Sequence, residues 1–321
     1  MSHDESEVRA IIRRVQRRFG EPQKGSPTAG SATPAADLGG GVFTSIAAAT
    51  EAAFEAFQVF SEQGLEGRRE VVDCIRRSML EHGAELARLA REETGLGRVE
   101  DKVVKNLLVT EKTPGPEDLE PQATTGDRGM TVTEFAPFGV VAAITPTTNP
   151  TATIINNTLA VVAAGNGLVF NAHPNGKNVS AYCVQLINQA IVEAGGPPNL
   201  VTTIEQPTIA SAQELMRHRR VRLLMVTGGP GVVAEALKTD KRAITAGPGN
   251  PPVVVDETAD IDLAAREIVR GGSFDNNMVC TDEKEVLVVE ARADELLQAF
   301  PRHQAMVLKE YQLRQLERVI F

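Results

Sequence analysis

Between residues 45 and 93 apolar side chains recur every three or four positions. Ile46, Ala49, Ala53, Ala56, Phe57 and Phe60 share one side of the first stretch, and Val71, Val72, Ile75, Leu80, Leu86 and Leu89 continue the pattern. A period near 3.6 collects such positions on one helical face, so residues 42–112 read as mostly helical. Pro and Gly break the run between Thr113 and Gly129, and residues 113–135 read as a bridging loop or hairpin. From Val140 the period changes. Short apolar runs at Val140–Ile144, Leu168–Phe170, Leu200–Ile204, Val221–Val226, Val253–Val255 and Glu285–Val289 alternate with helical stretches at 154–164, 178–193, 209–218, 232–237 and 263–269. Strands that are apolar throughout are buried on both faces, and strand–helix alternation makes them parallel. The predicted fold is therefore α/β with a Rossmann-like, doubly covered parallel sheet, whose ligands bind at the carboxyl ends of the strands.

The first 41 residues follow a different pattern. Val8, Ile11, Ile12, Val15 and Phe19 form one stripe, flanked by arginines, and predict an amphipathic helix over residues 1–20 that Gly20 and Pro22 end. Residues 21–41 are rich in Gly, Pro, Ala and Ser and read as a flexible linker. Three uses of a tethered amphipathic helix are open: folding back on the body, lying on a membrane surface, or docking into a partner's groove.

Composition narrows the function. Of 321 residues, 42% are hydrophobic, which is enough for a sizeable core, and the net charge of -9 argues against a nucleic-acid partner. No apolar run is long enough to span a bilayer, and the N-terminus lacks the apolar core of a secretory signal. Three scattered cysteines and five isolated histidines predict neither a disulfide scaffold nor a metal site, and the default compartment is the cytoplasm.

Four segments carry candidate chemistry. Three lie at successive strand ends: Thr145–Pro150 (TPTTNP), with hydroxyls and the amide of Asn149; Asn171–Lys177 (NAHPNGK), with His173; and Thr227–Gly231 (TGGPG), a glycine turn opening a helix. Such a turn can set backbone N–H groups against a pyrophosphate. The fourth is Gly271–Asp282 (GGSFDNNMVCTD), where Cys280 follows the polar run Asp275-Asn276-Asn277. Cys74 and Cys183 lie in helical apolar patterns and read as small core residues. For Cys280 two readings stand side by side, a small hydrophobe or a nucleophile activated as its thiolate.

The ordered combination TPTTNP, VTGGPG, AGPGNPP and FDNNMVCT resembles the aldehyde dehydrogenase superfamily, and within it the CoA-acylating propionaldehyde and acetaldehyde dehydrogenases of bacterial microcompartments. The resemblance runs from about residue 42 to the end. It implies that Cys280 is the nucleophile of a thioacyl intermediate and that Asn149 is an oxyanion donor, although the common family pattern carries its Asn one position earlier, at Thr148 here. It also implies that Thr145, Pro146, Thr147, His173, Thr227, Gly228 and Gly229 hold NAD. No acidic residue follows His173 to bind a ribose hydroxyl, so NAD over NADP rests on the resemblance alone.

Hydrolytic members carry a glutamate base where this chain has Ala246. Its loss agrees with transfer of the acyl group to coenzyme A rather than to water. The expected substrate is a short-chain aldehyde, and residues 1–20 match the helices that target such enzymes to microcompartment shell proteins, which places the chain inside a microcompartment. The implied domains are a dinucleotide-binding domain over 42–248 and an incomplete α/β catalytic domain over 249–321. Because the chain ends soon after Cys280, it is expected to be truncated, with a homo-oligomer formed by the full-length protein. The alternatives are a non-acylating aldehyde dehydrogenase and a truncated, non-catalytic cargo protein.

Overall fold

A computed structural model describes residues 38–320. The expected N-terminal helix, and the linker up to residue 37, lie outside the described residues. The rest divides into two compact units, one comprising residues 38–253 and 271–285, the other residues 254–270 and 286–320.

The larger unit begins with β1 (Val42–Phe43) and three helices, α1 (Ile46–Phe60), α2 (Leu65–Thr94) and α3 (Val99–Lys112). The hydroxyl of Ser45 caps α1 at the Ala48 N–H, and Gly95, at φ 71°, ends α2 in the left-handed conformation that suits glycine. An exposed antiparallel hairpin follows, β2 (Gln122–Gly126) and β3 (Gly129–Thr133). The Pro- and Gly-rich segment up to Gly129 thus contains a strand, because TTG and GMT pair across a tight turn.

The alternating part then unfolds much as its periodicity predicts. In order come β4 (Val140–Ile144), α4 (Pro150–Ala163), β5 (Gly167–Asn171), α5 (Lys177–Glu193), β6 (Val201–Ile204), α6 (Ile209–Arg217), β7 (Val221–Thr227), α7 (Pro230–Leu237) and β8 (Arg242–Ala246). They form one six-stranded sheet in the order β1-β6-β5-β4-β7-β8, with every neighbouring pair parallel. Alternate residues of β4 enter opposite cores. Val141 and Ala143 pack with α2, α4 and α5, while Val140, Ala142 and Ile144 pack with α1 and α6. The fold class read from the sequence is the one observed. The pattern did not reveal β8, a half-exposed edge strand whose alternation (RAITA) is too short to stand out.

The order also fixes where a ligand fits. The chain lays β5 and β6 on one side of β4, then crosses to lay β7 and β8 on the other. The crevice at this reversal, beyond the carboxyl ends of β4 and β7, is where open α/β sheets bind ligands.

In the smaller unit are most of the two-stranded pair β9 (Pro252–Val255) and β10 (Glu285–Val288), most of α8 (Ile261–Ser273), α9 (Glu290–Ala299) and α10 (Glu310–Ile320). Arg292 donates to the Glu257 and Ala259 carbonyls there, and Asp262 accepts from Arg302. No helix among the described residues is long and apolar enough to cross a membrane.

Candidate active site

At the end of β4 the chain turns through Thr145–Asn149 and enters α4 at Pro150. The sequence pattern placed this helix start at Ile154. It begins four residues earlier because Pro at the first helical position has its φ preset and no N–H to satisfy. Asn149 therefore occupies the N-cap, yet its side chain makes no capping bond. Its Oδ1 instead accepts from the Lys105 ammonium at 2.6 Å, and its Nδ2 donates to Thr148 Oγ1 at 3.1 Å.

A cavity of about 780 Å³ opens at the reversal point, within the usual range for a small-molecule site. All nine residues singled out from the sequence line it: Thr145, Pro146, Thr147, Asn149, His173, Thr227, Gly228, Gly229 and Cys280. The hydroxyls of Thr145 and Thr147 are buried and have no hydrogen-bond partner among the described residues. Buried polar atoms are seldom left this way, so two orphaned hydroxyls in a cavity mark a place for a polar ligand. Gly229 caps α7 and Pro230 opens it, leaving backbone N–H groups at the helix start toward the same space. Burial holds the His173 ring below the ordinary histidine pKa, and its Nδ1 accepts the Asn175 N–H at 3.2 Å, as a neutral ring can.

Cys280 reaches the cavity on a turn built by backbone strain. Asp275, Asn276 and Asn277 take φ values of 46°, 59° and 58° in succession. Only Gly, Asn and Asp adopt this left-handed region readily, which accounts for the residue types. Lys284 braces the turn, its ammonium bonding Asn277 Oδ1 and the Val279 carbonyl. The AGPGNPP loop closes over it, since a Cβ at Gly249 would collide with the Cys280 carbonyl oxygen.

The Asp275 carboxylate is fully buried and receives two buried ammonium groups, Lys102 at 3.1 Å and Lys105 at 2.5 Å. It also accepts the Arg98 N–H, in a niche left open by Gly97. Lys102 continues to the Thr148 carbonyl at 3.3 Å. Desolvation lowers the Lys105 pKa and Lys102 adds to this, while Asp275 opposes it. The buried cluster thus joins α3, the loop after β4 and the turn before Cys280. Among the cavity-lining residues Glu235 is the one carboxylate. It is held by Lys238 at 2.7 Å, which keeps its pKa below the usual carboxylate range. Cys183 is buried, and desolvation pushes its thiol pKa far up, as expected for an inert core cysteine.

The pattern of the aldehyde dehydrogenase family matches residues 30–309. The chain belongs to the aldehyde dehydrogenase family. It is 50% identical over 284 residues to the acetylating acetaldehyde dehydrogenase EutE of Salmonella typhimurium, covering 87% of this chain and 60% of the relative. Among solved structures it is similar to a propionaldehyde dehydrogenase from the Clostridium phytofermentans fucose utilisation bacterial microcompartment, with 47% identity and a TM-score of 0.82 over 85% of this chain and 63% of that one. A Rhodopseudomonas palustris propionaldehyde dehydrogenase with bound CoA and an acylated cysteine gives 46% identity and a TM-score of 0.85, over 88% and 65%. The chain spans about 60% of the length of the acetylating acetaldehyde and CoA-propanoylating propanal dehydrogenases it matches.

Aldehyde dehydrogenase motifs point to Cys280 and the strand-end loops, but not to Lys102, Lys105 and Asp275. The signals for these were two lysines three apart in the largely apolar stretch KVVKNLLV and an acidic residue opening the Asp275-Asn276-Asn277 run. Neither shows, from sequence alone, that the groups meet.

Proposed function

We propose that this site is that of a CoA-acylating aldehyde dehydrogenase, converting a short-chain aldehyde, CoA and NAD to acyl-CoA and NADH. Thr145, Pro146 and Thr147 after β4, His173 after β5, and Thr227, Gly228 and Gly229 before α7 would hold NAD. The two orphaned threonine hydroxyls and the α7 N-terminus fit its hydroxyls and pyrophosphate. When bound, NAD supplies the hydride acceptor.

The protein's own groups carry the remaining steps. Cys280 Sγ, as thiolate, adds to the aldehyde carbonyl carbon to give a thiohemiacetal. The developing oxyanion is held by the Asn149 amide and the Cys280 N–H. Departure of hydride leaves an acyl thioester on Sγ, and the thiolate of CoA attacks it, forming acyl-CoA and freeing Cys280.

The observation that carries the acylating reading is that, among the described residues, the cavity beside Cys280 is lined by one carboxylate, Glu235, and that one is already engaged. Ala246, at the end of β8, stands where hydrolytic members carry glutamate, and Glu235 is engaged by Lys238. A thiol ionises far more readily than water and needs no such base. The wider reading is a homo-oligomer inside a bacterial microcompartment, with residues 1–20 docked on a shell protein. Supporting it are the N-terminal apolar stripe and the exposed β2–β3 hairpin, which presents Met130 and Val132 to solvent.

The test pairs two measurements on the chain and on Cys280→Ala: NADH formation from propionaldehyde with and without CoA, and intact mass after incubation with propionyl-CoA. CoA-dependent NADH and one propionyl group on Cys280 are expected. NADH formed equally well without CoA refutes acyl transfer, and a propionyl group retained in Cys280→Ala refutes the nucleophile. In the same preparations, deletion of residues 1–20 removes retention on immobilised shell protein and leaves the acylation of Cys280 in place.

A further inference from the structure

The Lys105 ammonium lies 2.6 Å from Asn149 Oδ1 and 2.5 Å from the buried carboxylate of Asp275. An ammonium offers donors only, so the end of the Asn149 amide that faces it has to be the oxygen. The amide plane then turns its NH2 group the other way. One of those hydrogens goes to Thr148 Oγ1, and the other is left for the cavity that Asn149 and Cys280 both line.

Two features show that this arrangement is built rather than incidental. As the N-cap of α4, Asn149 would ordinarily bend its oxygen back onto the helix's own N–H groups, and it does not. Moreover, Asp275 already has a cationic partner in Lys102 and a backbone donor in Arg98, so charge balance does not call for a second buried lysine. Burying an additional ammonium is costly unless it has a task. Lys105 itself does not line the cavity.

We infer that Lys105, anchored by Asp275, is a positioning residue that fixes the orientation of the Asn149 amide so that it donates to the oxyanion formed at Cys280. The inference rests on the reading of Cys280 as nucleophile and Asn149 as donor, and extends it to a residue on α3 that touches neither substrate nor cofactor.

Two reactions of the same thiol separate positioning from general structure. Acylation of Cys280 by p-nitrophenyl acetate passes through an oxyanion. Alkylation by iodoacetamide is a displacement without one. The measured quantities are the p-nitrophenolate burst rate and the alkylation rate, in wild type, Lys105→Met, Asn149→Ala and the double variant. Lys105→Met leaves Asp275 paired one-to-one with Lys102, so the fold is retained, and its circular dichroism is checked against wild type. Removal of one oxyanion donor typically slows such a step by about 100-fold. Both single variants are expected to lose about that factor in acylation and less than about twofold in alkylation. The double variant should be no slower than Asn149→Ala alone, because the lysine acts through the amide. Lys102→Met, which deletes a neighbouring charge but keeps Lys105 on Asn149, should lose much less.

An unchanged burst in Lys105→Met overturns the inference, as does an equal loss in both reactions or a multiplicative loss in the double variant. A loss in Lys105→Met with none in Asn149→Ala overturns it too, and identifies the donor assignment as the fault. If wild-type Cys280 takes up neither reagent, the nucleophile reading fails by itself. The contact is then read from the side-chain amide signals in an Asn-selective 15N spectrum, assigned with Asn149→Ala; signals that Lys105→Met leaves unmoved overturn the inference.

Discussion

Replacement of Gly249 by Ala tests how tightly the AGPGNPP loop clamps Cys280. The added Cβ would overlap the Cys280 carbonyl oxygen and sit 3.0 Å from its carbonyl carbon. Relieving that overlap even to the closest approach a Cβ tolerates requires the loop or the Cys280 backbone to retreat by roughly 1 Å. A displacement of that size at a reacting atom costs about 100-fold in rate. Overpacking of a well-fitted contact costs about 1–3 kcal/mol in stability. The matched control is Gly247→Ala in the same loop, where a Cβ meets nothing within 4 Å. The assay is the acylation burst of Cys280 with p-nitrophenyl acetate, together with thermal melting of both variants. Gly249→Ala should lose about two orders of magnitude in burst rate relative to Gly247→Ala, and melt at a lower temperature. Equal burst rates in the two variants would refute the reasoning, for they would mean that the turn carrying Cys280 yields to the loop without moving Sγ. A large stability loss with an unchanged rate would show instead that the loop, not the cysteine, retreats.

Two further outcomes follow from the buried charges and the shielded ring. Asp275→Asn preserves a residue type that tolerates the left-handed turn but strands two buried ammonium groups, so a loss of about 3–5 kcal/mol is expected in urea denaturation; a loss below about 1 kcal/mol would mean that the lysines escape to solvent. His173 should titrate below the ordinary value of 6.5, because burial disfavours its charged form. Its neutral ring contributes stability above that pH, and the contribution is lost as pH falls from 6.5 toward the lower folded value, since the unfolded chain takes up the proton first. A 1H–13C titration that places its midpoint at or above 6.5 contradicts this.

The sheet was legible because its determinants are local. Short apolar runs such as Val140–Ile144 and Leu168–Phe170 can be stable only with both faces covered, so they announce parallel strands one segment at a time. The cavity-lining residues were legible for a related reason: they sit at strand ends, and strand ends follow from the strands. What stayed hidden depends on distant pairing. Lys102 and Asp275 are 173 residues apart, and in isolation each reads as a solvated charge. The early start of α4, which turns Asn149 into an N-cap, hinges on one proline and falls within the usual error of boundaries read from periodicity. The edge strand β8 alternates too briefly to register.

The cluster has a consequence for how the site is held. Cys280 is not carried on a strand of the main sheet. It follows three left-handed residues, and such a turn is costly unless its surroundings overdetermine it. Asp275 supplies that constraint by accepting from the Arg98 N–H, Lys102 and Lys105, while its own N–H donates to Asp101. All of these partners lie at the entrance to α3 or on its first turns. The same helix reaches the loop after β4 through Lys102 to Thr148 and Lys105 to Asn149. Cys280 and the Asn149 amide are therefore referred to a common support that lines no part of the cavity. A rigid helix gripping both is a better guarantee of their separation than either flexible loop gripping the other. Substitutions on the buried face of α3 should for this reason alter reactivity at Cys280 before they alter binding in the strand-end half of the cavity, where the contacts come from β4, β5 and β7.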